Sequence, residues 1–384
     1  MKTAIVHYWL VGMRGGEKVL EALGDIFPAA DIFTHVYRPA AVSAALNRHH
    51  IRTTFINNLP FAATQYQKYL PLMPLALEQL DLRAYDLVVS SESGPTMGVI
   101  TRPDALHLCY CHTPMRYVWS MYQDYLAGAN PLIRSVMPLV MHRLRLWDFQ
   151  AAARVDGFAT NSHYVARQIQ KYYRRDAEVI HPPVEIERFA PSDGVEDFYL
   201  CAGQLARYKR VDLAIVAANA LGRRLIVIGD GENAGHLRKI AGPTVTFLGR
   251  QDDDVLRRHY ATCRALIFPG IEDFGIVPVE AMASGRPVLA YRAGGALETV
   301  VERVTGLFFD EQTAESLMMT MLEFEARAHA FSSARLVQHA KSFARSVFRQ
   351  RFVDFVQRST AAQKRVPPLG LTLLKPSDGK SLRA

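Results

Sequence analysis

Cysteine is scarce in this chain of 384 residues: there are four, at positions 109, 111, 201 and 263. None has the paired spacing of a zinc site, and Cys109 and Cys111, two apart, fall on one side of a strand. A disulfide framework is excluded and a reducing, cytoplasmic compartment is expected. Long hydrophobic runs are absent as well. No apolar stretch approaches the ~18 residues of a membrane-spanning helix, so nothing is expected to cross a bilayer. The opening residues 1–7 read straight into a strand and lack the layout of a signal peptide. Acidic residues are in deficit, 37 against 45 Lys and Arg, for a net charge of +8. That balance permits an anionic partner: a nucleotide phosphate, a membrane surface or nucleic acid. No long basic block and no zinc-finger spacing supports the last, and no nucleic-acid partner is expected. Repeats of 20–50 residues are missing too, which excludes a solenoid.

What is present is a globular composition, 49% hydrophobic and 21% charged, in a chain long enough for two domains. Short apolar runs at 4–10, 31–36, 86–91, 106–111 and 155–160 read as strands separated by helical segments. The pattern restarts at 198–202, 224–228, 245–248, 265–268, 287–291 and 306–309. Strands alternating with helices predict an α/β chain of two doubly wound, Rossmann-like domains facing across a cleft. Pro182-Pro183 marks the linker. The expected division is a first domain over 1–185 and a second over 186–340. A helix over 341–363 follows, carrying Phe343, Val347, Phe348, Phe352, Phe355 and Val356. The basic tail, 364–384, has no periodicity and is expected to be disordered.

The most informative stretch runs from Phe268 to Gly285. Ala265 to Phe268 is a buried strand, Pro269-Gly270 stops it, and Pro278 suits the first position of the next helix. The amides of Phe274, Gly275, Ile276 and Val277 then lie at the positive end of a helix dipole, where phosphate oxygens bind. Glu272 on the loop and Glu280 in the first turn bracket that site. Glu280 is either a dipole-favoured acid or an acceptor for neutral hydroxyls such as those of a ribose. Elsewhere, 12–16 is a glycine-rich turn between a strand and a helix, the arrangement of a doubly wound sheet. The strand at 106–111 ends at His112, a candidate polar contact at the carboxyl edge of the sheet. Gly203 opens the loop after 198–202, and Arg207 and Lys209 on it could neutralise a diphosphate. Asp252-Asp253-Asp254 resembles a metal clamp but precedes a helical pattern, where acids cap and complement the dipole. No metal is expected.

Two stretches stay open between core and membrane. Residues 55–80 are rich in aromatics, Leu, Met and Pro. Residues 132–147 mix Arg134, His142, Arg143 and Arg145 with apolar side chains around Pro138, which is expected to break or kink a helix.

Glu272, seven residues, then Glu280, with Phe274-Gly275 between, resembles the signature of glycosyltransferase family 4, the retaining GT-B enzymes. The glycine turn, the His112-Thr113-Pro114 segment and the second-half loops follow in the family's order, from the first strand to about residue 310. The resemblance implies a GT-B fold and a retaining hexosyl transfer from a nucleotide sugar, without metal or cofactor. It implies that Glu272 holds sugar hydroxyls, that Glu280 holds the ribose, and that His112 contacts the sugar from the opposite domain. Lys209 and Arg207 would meet the diphosphate, Gly15 and Gly16 would face it, and Arg250 would line the base pocket. Family members usually carry Arg where Gln204 stands here, and Arg207 is expected to substitute. The His-Thr-Pro segment is similar to that of mannosyltransferases of bacterial surface polysaccharides. This implies GDP-mannose as donor and a lipid-linked oligosaccharide as acceptor, on the anionic inner face of the plasma membrane. A UDP-sugar donor, an epimerase or phosphorylase on the same fold, and a non-transferring nucleotide-sugar-binding protein are the alternatives.

Overall fold

The computed structural model describes residues 1–365. Its first sheet contains β1 (Thr3–His7), β2 (Asp31–Thr34), β3 (Ile51–Thr53), β4 (Leu87–Glu92), β5 (Leu106–Cys111), β6 (Gly157–Thr160) and β7 (Ala177–Val179), in the order β3-β2-β1-β4-β5-β6-β7. The second contains β8 (Tyr199–Ala202), β9 (Leu225–Ile228), β10 (Val245–Gly249), β11 (Ala265–Phe268), β12 (Val288–Tyr291) and β13 (Gly306–Phe309), in the order β10-β9-β8-β11-β12-β13. Every strand pair in both sheets is parallel. The sequence dictates this. The central strands are near-continuous apolar runs, and β1, β4, β5 and β11 are buried along their whole length, as strands covered by helices on both faces must be. The chain is thus an α/β protein of two Rossmann-like lobes, the GT-B arrangement.

In each sheet the chain first winds outward one way, then returns to the centre and winds the other way. The switch falls between β1 and β4 in the first lobe and between β8 and β11 in the second. Loops leaving the carboxyl ends of these strands flank the crevices where ligands bind in such sheets.

The lobes are joined near 180–184 and again at 344. Val184 forms a bridge to Ala344, and its amide donates to the Phe343 carbonyl at 3.0 Å. Phe343 packs in the core of the second lobe. The helix Arg345–Arg365 then lays Phe348, Phe352, Phe355 and Val356 into the core of the first, against Ile5, Leu20, Leu108 and Tyr110. Lys364 and Arg365 finish this helix. The rest of the tail expected to be disordered lies outside the described residues.

Three local expectations need correcting. The helix Pro131–Ala153 runs unbroken through Pro138. Asn130 caps it by accepting from the Ile133 amide at 2.9 Å, and Met137, Met141 and Leu144 bury one face. The carbonyl that Pro138 leaves unpaired belongs to exposed Arg134, where water can meet it. The edge strands β3 and β7 were not foreseen; each has three residues and none is fully buried. The helix expected to start at Pro278 starts two residues earlier, as Ile276–Ala283.

Candidate active site

The second lobe supplies most of the polar groups. β11 ends at Phe268, and the loop carrying Glu272 leads to the Ile276–Ala283 helix. Gly275 precedes it with φ +89°, a left-handed conformation glycine adopts without strain, and this is what starts the helix early. Pro278 therefore stands third. It is tolerated there because first-turn amides have no partner inside the helix. Glu280 moves into the second turn, which corrects its expected place. Its carboxylate accepts from the Tyr260 hydroxyl at 2.9 Å, and burial pushes its pKa up, with Tyr260 opposing. Phe274 is sealed in the core, its ring packed beside those of His181 and Phe343, so only its backbone can face a ligand.

β8 leads into the turn Arg207–Lys209. Lys209 Nζ donates to Glu272 Oε1 at 2.5 Å, so two residues foreseen as separate ligand contacts form one ion pair. The loops approach backbone to backbone to make this possible. A Cβ on Gly270 would stand 2.7 Å from Lys209 Cα. Gly295, whose amide donates to the Glu272 carbonyl at 2.7 Å, has its bare Cα against Phe274 Cα, where a Cβ would overlap. Gly203, with φ +121°, sits beside Lys209 Nζ. Arg207 is exposed beside this pair, as is Gln204. Arg250 is exposed after β10, two strands from β8 and hence about 10 Å across the sheet. Asp252 caps the Asp253–Thr262 helix by accepting from the Val255 amide at 2.9 Å, and Asp253 pairs with Arg188.

The first lobe faces this with two loops. The Gly15–Ile26 helix begins at the cleft, and a Cβ on Gly15 would stand 3.3 Å from Ile276 Cδ1. Two helix N-termini from opposite lobes thus converge. Gly16 is packed on the Tyr8 hydroxyl, which leaves no room for a side chain. His112 follows β5 and is half-buried; burial pushes its pKa down to about 3, and nearby His7 adds to this, so the ring is neutral at pH 7. His112 Nε2 lies 2.9 Å from Ser91 Oγ, which lies 3.1 Å from His7 Nδ1. The His112 amide donates to the Glu92 carbonyl at 2.8 Å, and Asn161 donates to the His112 carbonyl at 2.8 Å.

Contacts across the cleft are what the sequence reading missed. Arg116 pairs with Asp273, and Ser162 Oγ donates to the Asp273 carbonyl at 2.5 Å. The His163 amide and Nδ1 lie 2.9 and 2.8 Å from the Glu298 carboxylate. Ser162 also caps the His163–Tyr173 helix, accepting from the Val165 amide at 3.1 Å. One overlooked signal was available. Asp148 stands on the buried, apolar face of the Pro131–Ala153 helix and accepts from Trp119 at 2.7 Å and Tyr173 at 2.8 Å. An acid at such a position announces a partner, and here it pins the far end of the segment that begins at His112.

Comparison with known proteins now adds to the geometry. The description "Glycosyltransferase Family 4" matches residues 13–188, and "Glycosyl transferases group 1" matches residues 185–342. The chain belongs to glycosyltransferase family 4. It is 27% identical over 220 residues to the D-inositol 3-phosphate glycosyltransferase of Mycobacteroides abscessus, covering 50% of each chain. It is 27% identical over 219 residues to the GDP-mannose-dependent alpha-(1-6)-phosphatidylinositol monomannoside mannosyltransferase of Mycobacterium tuberculosis, covering 48% of this chain and 57% of that one. The chain thus spans about half the length of the curated relatives it matches. Among solved structures, sucrose-phosphate synthase from Thermosynechococcus elongatus superposes with a TM-score of 0.71 at 17% identity, over 94% of this chain and 100% of that one. HepE of Anabaena, in complex with UDP and glucose, gives 0.69 at 17% identity, over 93% and 100%. This family member shares the GT-B fold with both.

Proposed function

We propose that this family 4 member is a retaining glycosyltransferase that moves mannose from GDP-mannose to a lipid-linked oligosaccharide. The observation that carries the reading is the Lys209–Glu272 pair on the loops that lead to the Ile276–Ala283 helix, whose N-terminus meets that of the Gly15–Ile26 helix from the other lobe. Negative charge builds on the diphosphate as the bond between C1 of the sugar and the phosphate oxygen breaks. The amides of Gly275, Ile276 and Val277, Lys209 and the exposed charge of Arg207 meet that charge, with Gly15 and Gly16 closing from the other lobe. The acceptor oxygen forms its bond to C1 on the face the phosphate leaves, and its proton passes to the departing phosphate oxygen. Glu272 orients the sugar through its hydroxyls, Glu280 holds the ribose, and neutral His112 contacts the sugar. Arg250 lines the base site. Charge compensation by amides and cations makes the reaction metal-independent in this reading, so chelation by EDTA is expected to leave the rate unchanged.

GDP-mannose is favoured by the M. tuberculosis relative and by the His112-Thr113-Pro114 segment. HepE, which holds UDP, favours a UDP-sugar as the second reading. The membrane half of the proposal rests on the Pro131–Ala153 helix. It exposes Leu132, Val136, Leu139 and Leu146 along one stripe, with Arg143 within it and His142 at its edge, fitting it to lie on an anionic leaflet. No described helix is long and apolar enough to cross a membrane. A panel of nucleotide sugars tested for thermal stabilisation and transfer decides the donor. A ligand at 100 times its dissociation constant adds about 2.7 kcal/mol, and no shift with any GDP- or UDP-sugar would refute the reading.

A further inference from the structure

Asp273 stands one residue beyond Glu272 and is gripped from the opposite lobe. Its carboxylate accepts from the Arg116 guanidinium, and its carbonyl accepts from Ser162 Oγ at 2.5 Å. The two charged side chains are 14% and 29% exposed. Arg116 also lies over the ring of Tyr208, 5.6 Å from its centroid, and Tyr208 directly precedes Lys209. One side chain of the first lobe therefore touches the chain neighbours of both members of the Lys209–Glu272 pair.

Adhesion alone does not call for this arrangement. A half-buried ion pair contributes little net stability, because desolvation offsets its attraction, whereas a planar guanidinium fixes orientation. Burial pushes the Asp273 carboxyl up, Arg116 pulls it back, and the Glu272 charge adds to the upward push. Were the lobes to part, Asp273 would lose its cation and be left beside a like charge, and Tyr208 would lose its cover at the same moment.

We propose that Arg116 is a positioning residue that couples lobe closure to alignment of Lys209 and Glu272, by holding Asp273 and Tyr208. The catalytic part rests on the transfer reading above; the clasp itself does not.

The test is a cycle of Arg116→Ala, Asp273→Asn and the double variant, with Arg116→Lys as the conservative change. Binding of GDP, or of UDP where GDP gives no heat, is measured by calorimetry, and turnover is measured at saturating nucleotide sugar. Each single variant is expected to lose about tenfold or more in kcat, because small misplacements of reacting groups are costly. Nucleotide affinity stays within about threefold, since most of the nucleotide contacts in the reading above come from the second lobe. The double variant loses no more than the worse single, because both changes open one clasp. Arg116→Lys recovers part of the rate. Single variants within about twofold of wild type, losses that multiply, or loss of nucleotide binding would each overturn the role. Asp273→Asn preserves shape and keeps the test valid if Arg116→Ala folds poorly. Absence of turnover by the wild type counts against the transfer reading instead. The clasp is then read by small-angle scattering, where Arg116→Ala is expected to raise the radius of gyration and an unchanged value refutes it.

Discussion

Lys209 Nζ and Glu272 Oε1 meet at 2.5 Å, so each charge is compensated before substrate enters. In the proposed reaction a diphosphate approaching the helix N-terminus would draw Lys209 toward itself and free Glu272 to accept from sugar hydroxyls, so that the two residues would act in exchange. Removing either is expected to cost about 10²–10³ in kcat, the usual loss for one charge contact in the transition state. Their effects on KM should differ. Lys209→Ala leaves an uncompensated carboxylate facing an anionic donor, so KM for the donor rises together with the loss in kcat. Glu272→Ala removes a repulsive charge, so the donor binds as well or better while transfer fails. Steady-state kinetics on both, with circular dichroism to confirm folding, separates the roles. Wild-type turnover by Glu272→Ala would end its assignment.

At the scale of elements, the central strands could be read because parallel strands covered on both faces are continuous apolar runs. β3 and β7 could not, since an edge strand of three half-exposed residues carries neither period nor hydrophobicity. The Glu272 loop and its helix were legible, but the start of that helix depended on the φ of Gly275, which no residue pattern reports. The clasp at Asp273 was illegible for another reason: Arg116 and Asp273 are 157 positions apart and meet only across the two lobes. The support beneath the His112 segment was half-legible, through Asp148. There burial pushes Glu92 up to about 8, with the Asp148 charge adding to it, and burial pushes Asp148 up to about 7. Both acids bind their protons more tightly folded than unfolded. The sign follows: between the ordinary carboxylate value and about pH 8 the native state holds more protons than the unfolded one, so stability falls as pH rises. Glu92→Gln keeps the hydrogen-bonding shape and cannot ionise. Its melting temperature is expected to match wild type near pH 5 and to exceed it by a growing margin toward pH 8. A margin that shrinks over that range would mean Glu92 is charged in the native state.

At the scale of the molecule, the segment from Phe343 into the last helix ties two separate cores together, beside the linker near 180–184. Phe343 is anchored in the second lobe, while Phe348 and Phe352, 1% and 0% exposed, fill the first. Arg345 to Asp25 at 2.7 Å holds the start of the same helix, and Arg358 to Glu178 at 2.6 Å holds it further along. The first lobe is therefore incomplete without the last helix, and its stability depends on residues more than 300 positions from its first strand. Phe352→Ala empties the centre of that contact and is expected to cost about 3–5 kcal/mol, the range for a buried Phe. The loss should fall on one lobe only. Scanning calorimetry is expected to show the transition of the first lobe moving to lower temperature while that of the second stays. Added nucleotide then discriminates further, because a ligand stabilises only the folded unit that binds it. GDP should raise the transition that the substitution leaves alone. If one cooperative transition shifts as a whole in both experiments, the lobes unfold as a single unit, and the closing helix is a seam within one core rather than a tie between two.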